Sequence, residues 1–134
     1  MNKEKIKTLL IEPKESPKLA YIKPSMSVLR KAVNADNIEH GGVEAKKLEN
    51  NVYAVFNKDR FLADLEPNRY IGDDIISGNI YVIATDDIGF PVSLTDFQVS
   101  KYTLRFLYPE DFEDIDVAEA NLNTMFSRFL KDED

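Results

Sequence analysis

Two pairs of adjacent aspartates are the residues whose types and spacing could most directly do chemistry. Asp73 and Asp74 precede a strongly apolar run, and Asp86 and Asp87 follow it. Paired carboxylates can hold Mg²⁺ or divide the roles of general acid and general base. Magnesium sites are usually completed by substrate phosphates, however, and no phosphate-binding loop accompanies either pair. Because aspartate is favoured in turns, where its side chain accepts from nearby backbone amides, we interpret both pairs as turn residues.

The segment from Glu66 to Arg69 contains the best candidate for a ligand site. Arg69 would offer a planar fork of donors to a carboxylate or phosphate, with Asn68 beside it. The Pro67-Asn68 pair equally suits a tight turn, with Arg69 anchoring the loop to an acidic neighbour. Both interpretations stay open. The ligand-binding interpretation uses Asn68, Arg69, Asp73 and Asp74.

A catalytic constellation is not recognisable in the sequence. Ser93 could act as a nucleophile only with a base, and the single histidine, His40, is the only candidate. Helix capping explains Ser93, Thr95 and Asp96 better. The absence of cysteine removes thiol nucleophiles and thiolate metal sites, and one histidine cannot build a multi-histidine site. We therefore predict a non-enzymatic protein with no catalytic residues, no metal and no cofactor.

The length of 134 residues fits one domain with a single core, which needs no disulfide. The charged N-terminal segment lacks the apolar run of a signal peptide, and no stretch is apolar enough to span a membrane. These features predict a cytoplasmic protein with no membrane contact.

Charge is distributed unevenly along the chain. Residues 61–134 contain 16 Asp or Glu and 5 Lys or Arg, a net charge of −11, whereas residues 1–60 carry +4. An acidic half disfavours direct contact with nucleic acid and could instead meet a basic surface on another protein, although a merely solvated acidic face remains the alternative. The predicted partner-binding residues are Glu110, Asp111, Glu113, Asp114 and Asp116.

The order of the predicted elements indicates an α+β domain with a mostly antiparallel sheet of about five strands and two to three helices packed on it. Strands are predicted around the Pro13–Pro17 turn, over 43–48, 52–56 and 79–85, the last with both faces buried. Ser25 is expected to cap one helix, and Thr95 with Gln98 forms a capping box for another. Residues 61–78 show no clear period and predict a long ordered loop or a short helix.

The last predicted helix is amphipathic. Its apolar positions are Ala118, Leu122, Met125, Phe126, Phe129 and Leu130. Such a stripe must be buried, against the protein's own sheet or against a partner, and a homodimer through residues 117–130 is one outcome. We expect residues 1–108 to form the main unit, and residues 109–134 to form an acidic linker and a helix packed on it.

The chain resembles the domain of unknown function 3846 family over about residues 5–108, and the resemblance is most specific after residue 65. The similarity rests on Leu65, Pro67-Asn68-Arg69, Asp74-Ile75-Ile76 with Gly78, the strand 80–83, Ser93-Leu94-Thr95-Asp96, Lys101-Tyr102 and Phe106. Leu10-Ile11-Glu12-Pro13 followed by Pro17 is similar to the family's usual start. The resemblance carries over no catalytic residues. It implies a small accessory protein of gut bacteria, phages and conjugative elements, often encoded near host-defence genes.

Together these features predict an accessory protein that acts by protein–protein contact, including the specific case of an acidic, DNA-mimic-like inhibitor of a host defence or nucleic-acid-binding protein. The alternative is a small-ligand or nucleotide-binding module that uses the Asn68/Arg69 loop.

Overall fold

A computed structural model describes residues 5–33, 42–58, 65–112 and 116–132, the last range without the side chains of 118 and 128–132. The described residues form eight strands and three helices. In chain order these are β1 (Ile6–Ile11), β2 (Lys18–Ile22), α1 (Met26–Ala32), β3 (Val43–Glu49), β4 (Val52–Asn57), β5 (Pro67–Ile71), β6 (Asp74–Ser77), β7 (Ile80–Thr85), β8 (Pro91–Val92), α2 (Asp96–Arg105) and α3 (Val117–Asp132).

The main sheet has the strand order β2-β1-β7-β4-β3, and the short strand β8 pairs with β7. Every described pairing is antiparallel. The predicted α+β domain with a mostly antiparallel sheet is confirmed. The central position of β7 is confirmed as well, and it explains why that strand is apolar at every position from Ile80 to Ala84.

Two apolar cores lie on opposite faces of this sheet. On one face, Tyr81 and Ile83 of β7 pack with Val33 and the apolar side of α1. On the other face, alternate β7 residues pack beneath the β5–β6 hairpin and α2, which contributes Tyr102. Because side chains alternate along a strand, one continuous apolar strand serves both cores.

Both predicted helix starts are confirmed by capping contacts. The Ser25 hydroxyl accepts from the Val28 N–H at 3.3 Å at the start of α1. At the start of α2, the Gln98 N–H donates to the Thr95 hydroxyl at 3.1 Å, and the Thr95 N–H donates to the Gln98 side chain at 2.9 Å. These reciprocal bonds satisfy two backbone donors that a helix start otherwise leaves open.

The prediction for residues 61–78 was wrong wherever the structure describes them. Residues 67–77 form a two-stranded hairpin, and residues 61–64 lie outside the described residues. The strand period is hidden because Asn68 and Arg69 occupy buried positions and the register shifts between Pro67 and Arg69. A two-residue turn joins the strands, and its first residue is Gly72, with φ 62°. Gly-Asp between two runs of β-forming residues is a hairpin signal that could have identified this element.

Candidate functional site

Asn68 lies at the start of the hairpin and is almost completely buried. Its side-chain amide donates to the Ile11 carbonyl at 2.7 Å and to the Gly78 carbonyl at 2.8 Å. Its carbonyl oxygen accepts from Arg69 at 2.9 Å. Asn68 therefore joins the end of β1 to both strands of the hairpin at the end opposite its turn. The polar atoms of its side chain all have partners within the protein.

Arg69 is also buried, with only 1% of its surface exposed. Its Nε and Nη2 atoms donate to the Phe106 carbonyl at 3.3 and 3.0 Å, and Nη2 also donates to the Glu15 carbonyl at 2.6 Å. Its Nη1 atom donates to the backbone and side-chain oxygens of Asn68 at 3.1 and 2.9 Å. These five bonds use all five N–H groups of the guanidinium.

The four oxygens that accept these five bonds are neutral, so the positive charge of Arg69 is balanced at longer range. Burial lowers the pKa of the Arg69 guanidinium, and the nearby Glu110 carboxylate raises it. The side chain connects the β1–β2 turn at Glu15, strand β5 and the end of α2 at Phe106. Of the two interpretations that the sequence leaves open, these contacts support the structural one.

The two aspartates of the predicted ligand site lie at the turn of the hairpin, beyond the end that carries Asn68 and Arg69. Asp74 accepts from the Lys46 side chain at 3.2 Å. Asp73 is an exposed turn residue whose backbone carbonyl accepts from the Thr124 hydroxyl at 3.4 Å. The hairpin thus separates the four residues into two pairs with different partners.

The second pair of aspartates also occupies a turn. The Asp86 carboxylate accepts from the backbone N–H groups of Ile88 and Phe90 at 3.0 and 2.9 Å, and Asp87 accepts from the Asn51 side chain at 3.0 Å. These contacts are those of turn-forming aspartates. Ser93 likewise has a structural contact, since its hydroxyl accepts from the Lys7 N–H at 2.9 Å.

The predicted partner-binding residues fall into three groups. Glu110 and Asp116 make structural contacts: Glu110 accepts from the Tyr70 N–H at 2.9 Å, and Asp116 caps α3 by accepting from the Glu119 N–H at 3.0 Å. Asp111 is exposed and lies beside a surface hollow. Glu113 and Asp114 lie outside the described residues.

Two hollows lie on either side of the segment 109–111, with volumes of about 450 and 480 Å³. Both are open to solvent, and both are lined by the acidic residues Glu110 and Asp111. The first is also lined by Lys14, Glu66, Pro67, Pro109 and Phe112. The second is also lined by Arg69, Tyr70, Arg105, Phe106, Tyr108 and Pro109. The second hollow combines both signs of charge with two tyrosine rings, which suits a small polar or zwitterionic molecule.

Side chains form hydrogen bonds with backbone groups on both outer edges of the hairpin. On β5, the Tyr70 N–H donates to Glu110. On β6, the Ile75 N–H donates to the Asn121 side chain at 2.8 Å, and the same amide donates back to the Ile75 carbonyl at 2.9 Å. The Asn121 amide thereby makes the hydrogen bonds that a neighbouring strand would make. This prevents the β6 edge from pairing with another chain at Ile75. The sequence offered no signal for this contact beyond an asparagine inside a helical pattern.

Helix α3 contacts the hairpin through its polar side. Asn121 and Thr124 face β6, whereas the described members of the predicted apolar stripe, Leu122, Met125 and Phe126, are 45, 58 and 56% exposed. The predicted contact of this helix with its own domain is therefore made by amides and hydroxyls, and these three apolar side chains point to solvent.

A charged cluster fixes α2 to the β3–β4 turn. The Glu49 carboxylate accepts from the Lys101 side chain at 2.7 Å and from the Tyr102 hydroxyl. The hydrogen bonds from Lys101 and then from Tyr102 lower the pKa of Glu49. Burial, reinforced by Glu49, raises the pKa of Tyr102, so its hydroxyl stays protonated and continues to donate.

Among the described residues, no three or more His, Asp or Glu side chains form a group that could hold a metal ion. In the same part of the chain, no helix has the length and apolarity needed to cross a membrane. The predicted histidine candidate, His40, lies outside the described residues.

The fold and its buried polar side chains define a small α+β domain with a sheet covered on both faces. A family model described as a domain of unknown function (DUF3846) matches residues 6–107, and the chain belongs to this family. The resemblance seen in the sequence is thereby confirmed. Comparisons with curated proteins and with solved structures found no match.

Proposed function

We propose that this protein is a non-enzymatic accessory protein that binds a basic surface on another protein through its acidic segment, residues 110–119. The segment contains six acidic residues and no Lys or Arg. This concentration of negative charge is the observation that carries the proposal.

The way in which the rest of the chain compensates its charge supports this choice. Three acidic residues of the second half pair with lysines of the first half: Lys7 with Asp96 at 2.8 Å, Lys14 with Glu66 at 3.0 Å, and Lys46 with Asp74 at 3.2 Å. These contacts partly neutralise the hairpin and the start of α2. The acidic segment holds six of the 16 acidic residues of residues 61–134 and no Lys or Arg, and such a concentration of negative charge attracts a basic partner and speeds its encounter.

Within this proposal, the specific version is inhibition of a host defence or nucleic-acid-binding protein. Proteins that bind nucleic acid use clustered Lys and Arg against phosphates. A run of carboxylates can occupy the same basic groove and exclude the nucleic acid by direct competition. The setting that we expect for the family, in phages and conjugative elements, gives such an inhibitor a role.

Charge reversal tests the proposal. The variant Asp111→Lys/Glu113→Lys/Asp114→Lys reverses half of the segment and spares Glu110 and Asp116, whose carboxylates hold the hairpin and cap α3. The matched control, Glu4→Lys/Asp36→Lys/Glu39→Lys, makes the same change in net charge in the first half of the chain.

In pull-downs from host lysate, the wild-type protein and the control should retain a basic protein, and added salt should weaken this binding. The acid-segment variant should not retain it. For the inhibitor version, the retained protein should lose nucleic-acid binding when wild type is added. Equal retention by the two triple variants contradicts the proposal.

The second hollow supports the alternative, a small-ligand site. In this hollow Arg105 is a better candidate than Arg69 for binding an anionic group of a ligand. Arg105 is exposed, whereas the N–H groups of Arg69 already donate within the protein. Thermal-shift screening with nucleotides and polar metabolites tests this alternative. A stabilising ligand whose effect disappears in Arg105→Ala supports it, and the absence of any shift contradicts it.

A further inference from the structure

The side of α3 that faces its own domain is the polar side. Asn121 forms two hydrogen bonds with the Ile75 backbone, and the Thr124 hydroxyl lies 3.4 Å from the Asp73 carbonyl and 3.1 Å from the Ala120 carbonyl of its own helix. An amphipathic helix at a protein surface normally turns its apolar side inward. The orientation of α3 leaves its described large apolar side chains, those of Leu122, Met125 and Phe126, exposed.

The described apolar residues on that side form a compact stripe. Leu122, Met125 and Phe126 are spaced at i, i+3 and i+4, so they lie next to one another on the helix surface. Each is about half exposed. We call these three residues the α3 stripe. Covering them would remove apolar surface from water at roughly 25 cal/mol per Å², which is a source of binding energy.

Charge distinguishes between the two main candidates for what covers the α3 stripe. The helix begins at the acidic segment, with Asp116 at its cap and Glu119 in its first turn. A second copy whose α3 lies parallel to the first would bring a second Asp116 and Glu119 to the interface, and like charges in contact are costly. A partner segment with basic flanks would instead place cations against these carboxylates.

The size of the α3 stripe also favours a partner segment over a second copy of this chain. The whole of α3, with 16 residues, is about 24 Å long, and one face about 10 Å wide presents roughly 240 Å², of which the α3 stripe is only a part. A stable dimer buries about 800 Å² on each partner. The α3 stripe is therefore too small to hold two copies together by itself, but it matches one face of a single docked helix.

We infer that the α3 stripe docks an amphipathic helix of the partner protein, whose apolar side covers Leu122, Met125 and Phe126 and whose basic flanks face Asp116 and Glu119. This inference rests on the proposed function and adds the type of segment that is recognised. The recognition is the helix-on-groove type, in which a few apolar anchors supply affinity and charge supplies orientation.

The test uses a synthetic helical peptide with leucine on one side and lysine on its flanks, labelled for fluorescence anisotropy. Two peptides serve as comparisons: one with glutamate flanks, and one that keeps the lysines but has serine in place of leucine.

The protein variant is Leu122→Ser/Phe126→Ser. Its matched control is Phe97→Ser/Leu104→Ser, which changes two equally large and even more exposed residues on α2. Because all four residues are exposed, both variants should fold, and urea unfolding checks this.

The leucine/lysine peptide should bind wild type and the α2 control equally, and the α3 variant should bind it roughly tenfold more weakly. The other two peptides should bind poorly. The inference is overturned if the α3 variant binds the leucine/lysine peptide as well as wild type does. It is also overturned if sedimentation shows a wild-type dimer that the α3 variant loses, because the second copy is then the occupant.

The two proposals can fail separately. If charge reversal in the acidic segment abolishes capture of the basic host protein and the α3 variant captures it normally, the proposed function stands and the helix-docking inference fails. If charge reversal has no effect on capture, the proposed function itself fails.

Discussion

Replacing Arg69 by lysine separates a structural arginine from a ligand-binding one. Lysine keeps the positive charge but has three N–H donors, so at least two of the five hydrogen bonds of Arg69 must be lost. A hydrogen bond that involves a charged group contributes about 1.5–3 kcal/mol, so the loss is about 3–6 kcal/mol. The acceptors left without a donor are carbonyl oxygens of Phe106 or Asn68 in buried contacts, or that of Glu15 in a part-buried one.

That loss is large compared with the ~5–15 kcal/mol by which a domain of this kind is stable. Arg69→Lys should therefore lower Tm by more than about 10 °C in the absence of any ligand. Arg105→Lys is the matched control, because Arg105 is exposed and its described contact is with the Phe106 ring at 5.0 Å, which contributes about 0.5–1 kcal/mol. Calorimetry of both variants measures the difference. If Arg69→Lys melts within about 2 °C of wild type, the structural role assigned to Arg69 is refuted, since a ligand-binding arginine could be replaced without loss of stability in the unliganded protein.

Two further predictions concern other polar contacts of the fold. Since the pKa of Glu49 is lowered by Lys101 and Tyr102, its contribution to stability is present above the unfolded pKa of about 4.3 and is lost as pH falls through the lower folded value. Urea unfolding at a series of pH values should show that Glu49→Gln is less stable than wild type at pH 7 and loses less stability on acidification, and parallel curves for the two proteins would contradict this. Asn121→Ala leaves one N–H and one C=O of β6 without their partner, at about 1–3 kcal/mol for each group, whereas the exposed Asn123→Ala on the same helix should change unfolding by less than about 0.5 kcal/mol. Equal midpoints for the two asparagine variants would show that the β6 edge does not depend on Asn121.

Elements with strong local signals could be predicted from the sequence, and the candidate site could not. The capping box of Thr95 and Gln98 is a contact between residues three apart, so the sequence contains both partners. Asn68, in contrast, bonds the carbonyl of Ile11, 57 residues away, and Arg69 bonds that of Phe106, 37 residues away. These acceptors are backbone groups, which every residue carries, so no residue type in the sequence marks them. The hairpin was missed for a related reason, because the buried positions at its start, Asn68 and Arg69, are polar and hide the strand pattern.

The sequence by itself determined five strands of the main sheet, the helix starts, the family and the uneven charge, since propensity, capping and composition are properties of neighbouring residues. Only the tertiary structure decided which side of α3 faces the domain and what Arg69 does. The amphipathic pattern of α3 predicts that its apolar side is buried, but the backbone edge of β6 at Ile75 needs a donor and an acceptor, and Asn121 on the other side of the helix supplies both. Satisfying a buried backbone edge thus set the orientation of the helix, and the α3 stripe was left facing solvent as a consequence.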